Sequence, residues 1–257
     1  MKNLTLTFFI LILISCNNRN SGNTEKSNKD SVIMKTDTLI ASNYLLTFEK
    51  ADSFKRTDIF GDLDTRLKMT EKIYNSHEEA QTIQKYLSNR FGDYFYTTDT
   101  TLVLKLSNGK TESFPLWDEK KEEGFSFVHF FDKIEYILLY VQWYEGNCWM
   151  LVNSKNGMRK YINGLPYISL DNKKIITINT DLEAAYSFNG IELYLIMSDS
   201  LKLEFSKETK WGPKDLKWLS DDKISLKREI VHFDSITGVQ NNIFDFCNVR
   251  IEKMNSR

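Results

Sequence analysis

The sequence predicts an all-β chain: a β-propeller-like array of antiparallel four-stranded units with one helix near 77–90, with a β-sandwich as the alternative packing. Three observations predict it. Tight-turn dipeptides recur at Asn108-Gly109, Asn156-Gly157, Asp199-Ser200 and Thr237-Gly238, their second residues 48, 43 and 38 positions apart. A second turn type falls between them, at Asp132-Lys133, Asp171-Asn172-Lys173 and Asp221-Asp222-Lys223, each before Ile-led apolar alternation. Aromatic residues make up 13% of the chain, with 17 Phe and 12 Tyr, and flat rings suit a pleated face. A period of about 40–50 residues holding four short strands is the spacing of radially repeated sheets, and the chain is long enough for about five such units. Hairpins at similar spacing also fit a sandwich.

The chain begins with a targeting signal. Lys2 is a short positive region, and Leu4 to Ile14 is apolar but shorter than the ~20 residues that cross ~30 Å of hydrocarbon as a helix. The run ends in Leu13-Ile14-Ser15-Cys16, which resembles the lipobox of bacterial lipoproteins. The resemblance implies a signal peptide over residues 1–15, cleaved before Cys16, and acyl chains on Cys16 that hold the protein to a membrane. Three acyl chains exceed the two-signal threshold for stable anchoring. The residue after the cysteine is Asn17 rather than Asp, and the family rule then implies the outer membrane of the cell envelope. Residues 16–31 are almost wholly polar and read as a flexible tether, with the β domain over 32–257.

Leu39 to Glu49 reads as one or two strands, and Arg66 to Tyr74 as a weakly alternating strand. Ser76-His77-Glu78-Glu79 has the form of a capping box before Ala80, Ile83 and Leu87 at helical spacing, with Gly92 as the stop. Tyr94-Phe95-Tyr96 and Thr101 to Leu106 are strands. Pro166-Tyr167-Ile168-Ser169-Leu170-Asp171-Asn172-Lys173-Lys174-Ile175 then resembles the repeat of TolB-like and WD-like β-propellers, with Asn172 where that pattern needs a left-handed backbone.

Composition excludes several functions. The net charge of −1 carries no nucleic-acid footprint. His77, His129 and His232 are scattered without metal-ligand spacing, and Asp62-Leu63-Asp64 lacks the rest of a calcium loop and reads as a turn. No phosphate-binding glycine loop or serine-nucleophile elbow occurs, so no catalytic residue, metal or cofactor is assigned. Cys148 and Cys247 fall in non-adjacent units and read as buried free thiols.

The informative residues are aromatic. The loops inside a unit between its second and third strands, and those joining units, share one end of the array. They carry Trp117, Trp143, Tyr144, Glu145, Asp181, Glu183, Tyr186, Phe188 and Trp211, whereas Trp149 and Trp218 fall inside strands and belong to the core. Rings and carboxylates together suit a binding face for a protein, peptide or glycan. The competing readings are rings that fill seams between units, and an enzyme acting on glycan or peptide through Glu145, Asp181 and Glu183.

Overall fold

Sixteen strands and two helices follow one another along the residues described in this computed structural model, 37–71, 76–144, 146–184, 186–233 and 240–254. In order they are β1 (Asp37–Ala41), β2 (Tyr44–Lys50), α1 (Leu63–Thr70), α2 (Ser76–Phe91), β3 (Phe95–Thr97), β4 (Thr101–Lys105) and β5 (Thr111–Pro115). Next come β6 (Glu123–Phe131), β7 (Tyr136–Trp143), β8 (Asn147–Asn153), β9 (Arg159–Ile162), β10 (Leu165–Ile168) and β11 (Lys174–Asn179). The last are β12 (Gly190–Ile196), β13 (Leu201–Glu208), β14 (Gly212–Trp218), β15 (Lys223–Phe233) and β16 (Gln240–Lys253).

The strands form four antiparallel sheets, not five, of three, four, four and five strands. Three are simple meanders: β3-β4-β5, β6-β7-β8-β9 and β10-β11-β12-β13. The fourth joins the two ends of the described chain, in the order β1-β2-β16-β15-β14, with Val249 of β16 opposite Phe48 of β2. Local hairpin geometry sets the meanders. The turns at 108–109, 156–157 and 199–200 close β4–β5, β8–β9 and β12–β13, and Gly109 and Gly157 adopt φ of 80° and 77°. The turn expected at 237–238 lies outside the described residues. Asn172, in the turn between β10 and β11, has φ 58°, a left-handed conformation that Asn tolerates.

The core is a stack of faces. Alternation along β7 sends Ile137, Leu139 and Val141 into one cluster with Leu102, Leu104 and Phe114 of the three-stranded sheet. Tyr136, Leu138 and Tyr140 point the other way, toward Ile175 and Tyr194. Ile176, Ile178 and Leu193 then pack on Leu46, Leu226 and Val249 of the five-stranded sheet. None of these three clusters joins the five-stranded sheet to the three-stranded one. Trp149 and Trp218 are buried, and so are the free thiols of Cys148 and Cys247, which burial pushes up to about 12.

Two expectations are corrected. The segment read as a strand from Arg66 is helix α1, because its buried face is Leu63, Arg66 and Thr70, a helical spacing hidden by two polar members. Asp62 is not a solvated turn residue but the buried N-terminal flank of that helix. Its carboxylate accepts from Arg66 Nε at 2.8 Å, from the Tyr86 hydroxyl at 3.0 Å and from Arg90. Arg66 also donates to the Val128 carbonyl at 3.2 Å and lies over the Phe60 ring, so this network fastens the helices to β6. The helix expected at 77–90 is α2, packed through Ile83, Leu87 and Phe91 on the first cluster.

Candidate functional site

Strand direction alternates, so the pairing registers sort the connections onto two ends. The turns at 106–110, 132–135, 154–158, 169–173, 197–200 and 219–222 share one end. There the Ser107 amide donates to Ser154, the Asn156 side chain to Asp199 and the Asp171 amide to Asp221, which links each sheet to the next. The other end carries residues 116–122, 144, 146, 163–164, 180–184, 186–189 and 209–211, and every described candidate residue of the binding face lies on it or at a strand terminus beside it.

This loop end is tightly built. A Cβ at Gly164 would sit 1.9 Å from the Ile178 carbonyl oxygen, and one at Gly190 would sit 2.1 Å from that of Lys207. Only glycine lets the backbones cross this closely. The neighbouring Asn163 donates its amide and its side chain to Glu192, whose carboxylate also accepts from Thr177, Tyr194 and Ser206. That buried carboxylate ties the connection between sheets to the middle of β12.

The candidate residues divide into two kinds. Trp143, Tyr144 and Tyr186 are exposed, at 36%, 76% and 83% of their surface. Trp143 ends β7 opposite Glu123, and its indole Nε1 donates to Glu123 Oε1 at 3.2 Å. Tyr161, itself exposed on β9, donates to the same oxygen at 3.4 Å. Tyr186 is displayed by a loop that Asp181 organises, since its carboxylate accepts from the backbone amides of Ala184, Tyr186 and Ser187. Asp181 is therefore a loop-holding residue. Glu183 is exposed in the same loop.

The other rings are seam-fillers. Trp211 is half-buried against the third cluster of the stack, edge-on to Phe48 with 5.9 Å between centroids and 5.3 Å from the Arg228 guanidinium. Trp117 is half-buried over Gly124, where a Cβ would come within 2.9 Å of its ring. Phe188 is half-buried, with its carbonyl accepting from Asn179. Glu145 and Cys16 lie outside the described residues.

Sequence reasoning missed Glu123 and Tyr161. The signal for Glu123 was cross-strand rather than local: a carboxylate opening β6 directly opposite the Trp that ends β7. Among the described residues no group of three or more His, Cys, Asp or Glu side chains is placed to hold a metal ion. No protein-family model, curated protein or solved structure matches the chain, so the site rests on its own geometry.

Proposed function

We propose that this is a lipid-anchored binding protein of the bacterial cell envelope, held to the outer membrane through acylated Cys16, with the loop end of a propeller-like β domain as its binding face. The lipobox-like Leu13-Ile14-Ser15-Cys16 supports the anchor. The meander order of the sheets and the pairing of β2 with β16 support the propeller-like reading. The observation that carries the binding reading is the display of Trp143, Tyr144 and Tyr186 on one end. There a hydrogen bond fixes one ring and a carboxylate-capped loop holds another, so little conformational entropy is lost on contact. The binding face favours recognition over catalysis, because Asp181 is consumed in holding its own loop.

Fractionation and intact mass test the anchor. Wild-type protein extracted from membranes carries the mass of the acyl chains and begins at Cys16, whereas Cys16→Ala accumulates as an unlipidated precursor. Recovery of unmodified, soluble mature protein from wild-type cells refutes it.

A further inference from the structure

The last two strands outrun the sheet that holds them. β14 pairs with β15 only as far as Gly212 opposite Glu229, and β2 pairs with β16 only as far as Lys50 opposite Cys247. β15 and β16 go on pairing with each other from Ile230 opposite Ile243 to Phe233 opposite Gln240. These four rows project past both neighbours by about 13 Å, at about 3.3 Å per residue. Among the described residues, no strand lies beside residues 240–246 on the side that β2 occupies further along. Asn241, Asn242, Ile243 and Phe244 are all exposed, Ile243 at 52% and Phe244 at 42%.

The bonds on either side of β16 fix which way its backbone groups point. The Phe246 carbonyl accepts from the Ala51 amide on the β2 side, whereas the Ile251 amide donates to Asp222 on the β15 side. Antiparallel strands alternate, so Phe244 turns its N–H and C=O to the vacated edge. Beyond Ala51 the chain turns away across the sheet. Phe54 meets Phe246 edge-on with 5.5 Å between centroids, and the Thr57 amide donates to Asp215 of β14.

Edges elsewhere in the fold are blunted by charge, proline or cover, the usual defences against unwanted pairing. β9 carries Arg159 and Lys160, β14 carries Pro213, and β6 is covered by α1, with Arg66 donating to the Val128 carbonyl. From Gln240 to Phe244 there is neither a charge nor a proline.

We propose that this projecting edge pairs with the same edge of a second copy of the chain, antiparallel and across a two-fold axis. A row of amides and carbonyls is matched by another extended backbone. The second copy offers one already held as a strand by β15, so it escapes the ordering cost that a flexible peptide meets. Antiparallel alignment of two projecting hairpins also sends the two domains in opposite directions, each behind its own hairpin, so they meet without collision. Identical edges joined this way close on themselves, and the uncharged segment sets no like charges against each other. The proposal is independent of the acyl anchor and of the aromatic binding face.

Sedimentation equilibrium of the full chain tests it, in density-matched detergent with micelles in excess over protein. The wild type has the mass of two chains. Phe244→Lys sets like charges at the paired edge, and Phe244→Pro removes an N–H that faces the edge rather than β15. Each weakens self-association about tenfold or more. Leu203→Lys, at an exposed position on the edge strand β13, leaves the mass unchanged. Thermal melting confirms that the variants fold, and Phe244→Lys carries the test where the proline variant unfolds. A monomeric wild type overturns the proposal, as does a dimer that Phe244→Lys leaves intact or that Leu203→Lys weakens equally.

Discussion

Titrating the protein from pH 7 to pH 5 exposes the cost of burying His129. This side chain lies on β6 between the rings of Phe60, Phe91 and Phe131, at centroid distances of 5.5, 5.2 and 4.7 Å, and its Nδ1 is buried without a hydrogen-bond partner. Burial first, and then the positive charge of Arg66 and Arg90, lowers its pKa from 6.5 to about 4, while Asp62 and Asp132 oppose the shift. The folded state therefore resists a proton that the unfolded chain accepts. The stability that the neutral imidazole contributes is full above pH 6.5, falls as the pH drops through 6.5 toward 4, and is gone below about 4. At 1.36 kcal/mol per pKa unit the loss is about 2 kcal/mol between pH 7 and pH 5, reaching about 3 kcal/mol below pH 4. Glu204, which bonds to Lys202, Tyr44 and Lys253 hold down to about 2, has the opposite shift in a carboxylate and loses its stabilisation only between about 4.5 and 2. The assay is urea denaturation of wild type and His129→Leu at a series of pH values. Subtracting the two curves removes every titration that they share. Wild type should lose about 2 kcal/mol more than the variant between pH 7 and pH 5. Parallel curves would show that His129 is not the group paying for burial.

Three further outcomes follow from buried polar groups and from the loop rings. Glu192→Ala strands the hydroxyls of Thr177 and Tyr194 and both Asn163 donors, and should lower the unfolding free energy by about 3 kcal/mol or more in denaturant melts. Asp62→Ala leaves the Arg66 guanidinium, 3% exposed, without its counter-charge and should cost about 3–5 kcal/mol, whereas Asp64→Ala two residues along, at an exposed position, should cost less than about 0.5 kcal/mol by the same assay. Trp211→Ala should behave as a core truncation, costing about 3 kcal/mol, because its ring fills the space between Phe48 and Arg228.

Much of the architecture was legible because it is local. A hairpin turn needs particular residues at particular positions, so Asn108-Gly109 and Asn156-Gly157 announce themselves, and Asn172 marks a left-handed residue on its own. Placement inside strands rather than in connections likewise separated buried Trp149 and Trp218 from exposed Trp143. What the sequence concealed is non-local or polar. The pairing of β2 with β16 joins residues about 200 positions apart, and no local signal encodes it. Helix α1 buries an arginine and a threonine, so apolar periodicity pointed to the wrong element. Trp211 and Trp143 share a loop end and a residue type, yet one fills a seam and the other is displayed. The difference lies in whether Phe48 and Arg228 stand behind the ring, which only the packing reveals.

The separation of displayed rings from structural ones is the centre of the account, and thermal melting of four single variants tests it most directly. Trp149 packs edge-on to Tyr140, with 67° between the ring planes, and the Trp218 indole donates to the Tyr167 carbonyl at 2.9 Å, so Trp149→Ala and Trp218→Ala should each lose about 3–5 kcal/mol. For a domain of this size that lowers the melting temperature by roughly 10 °C. Trp143→Ala and Tyr186→Ala should melt within about 2 °C of wild type, as surface truncations do. Equal destabilisation by all four would mean that the loop rings hold the sheets together, and the binding face would have to be abandoned.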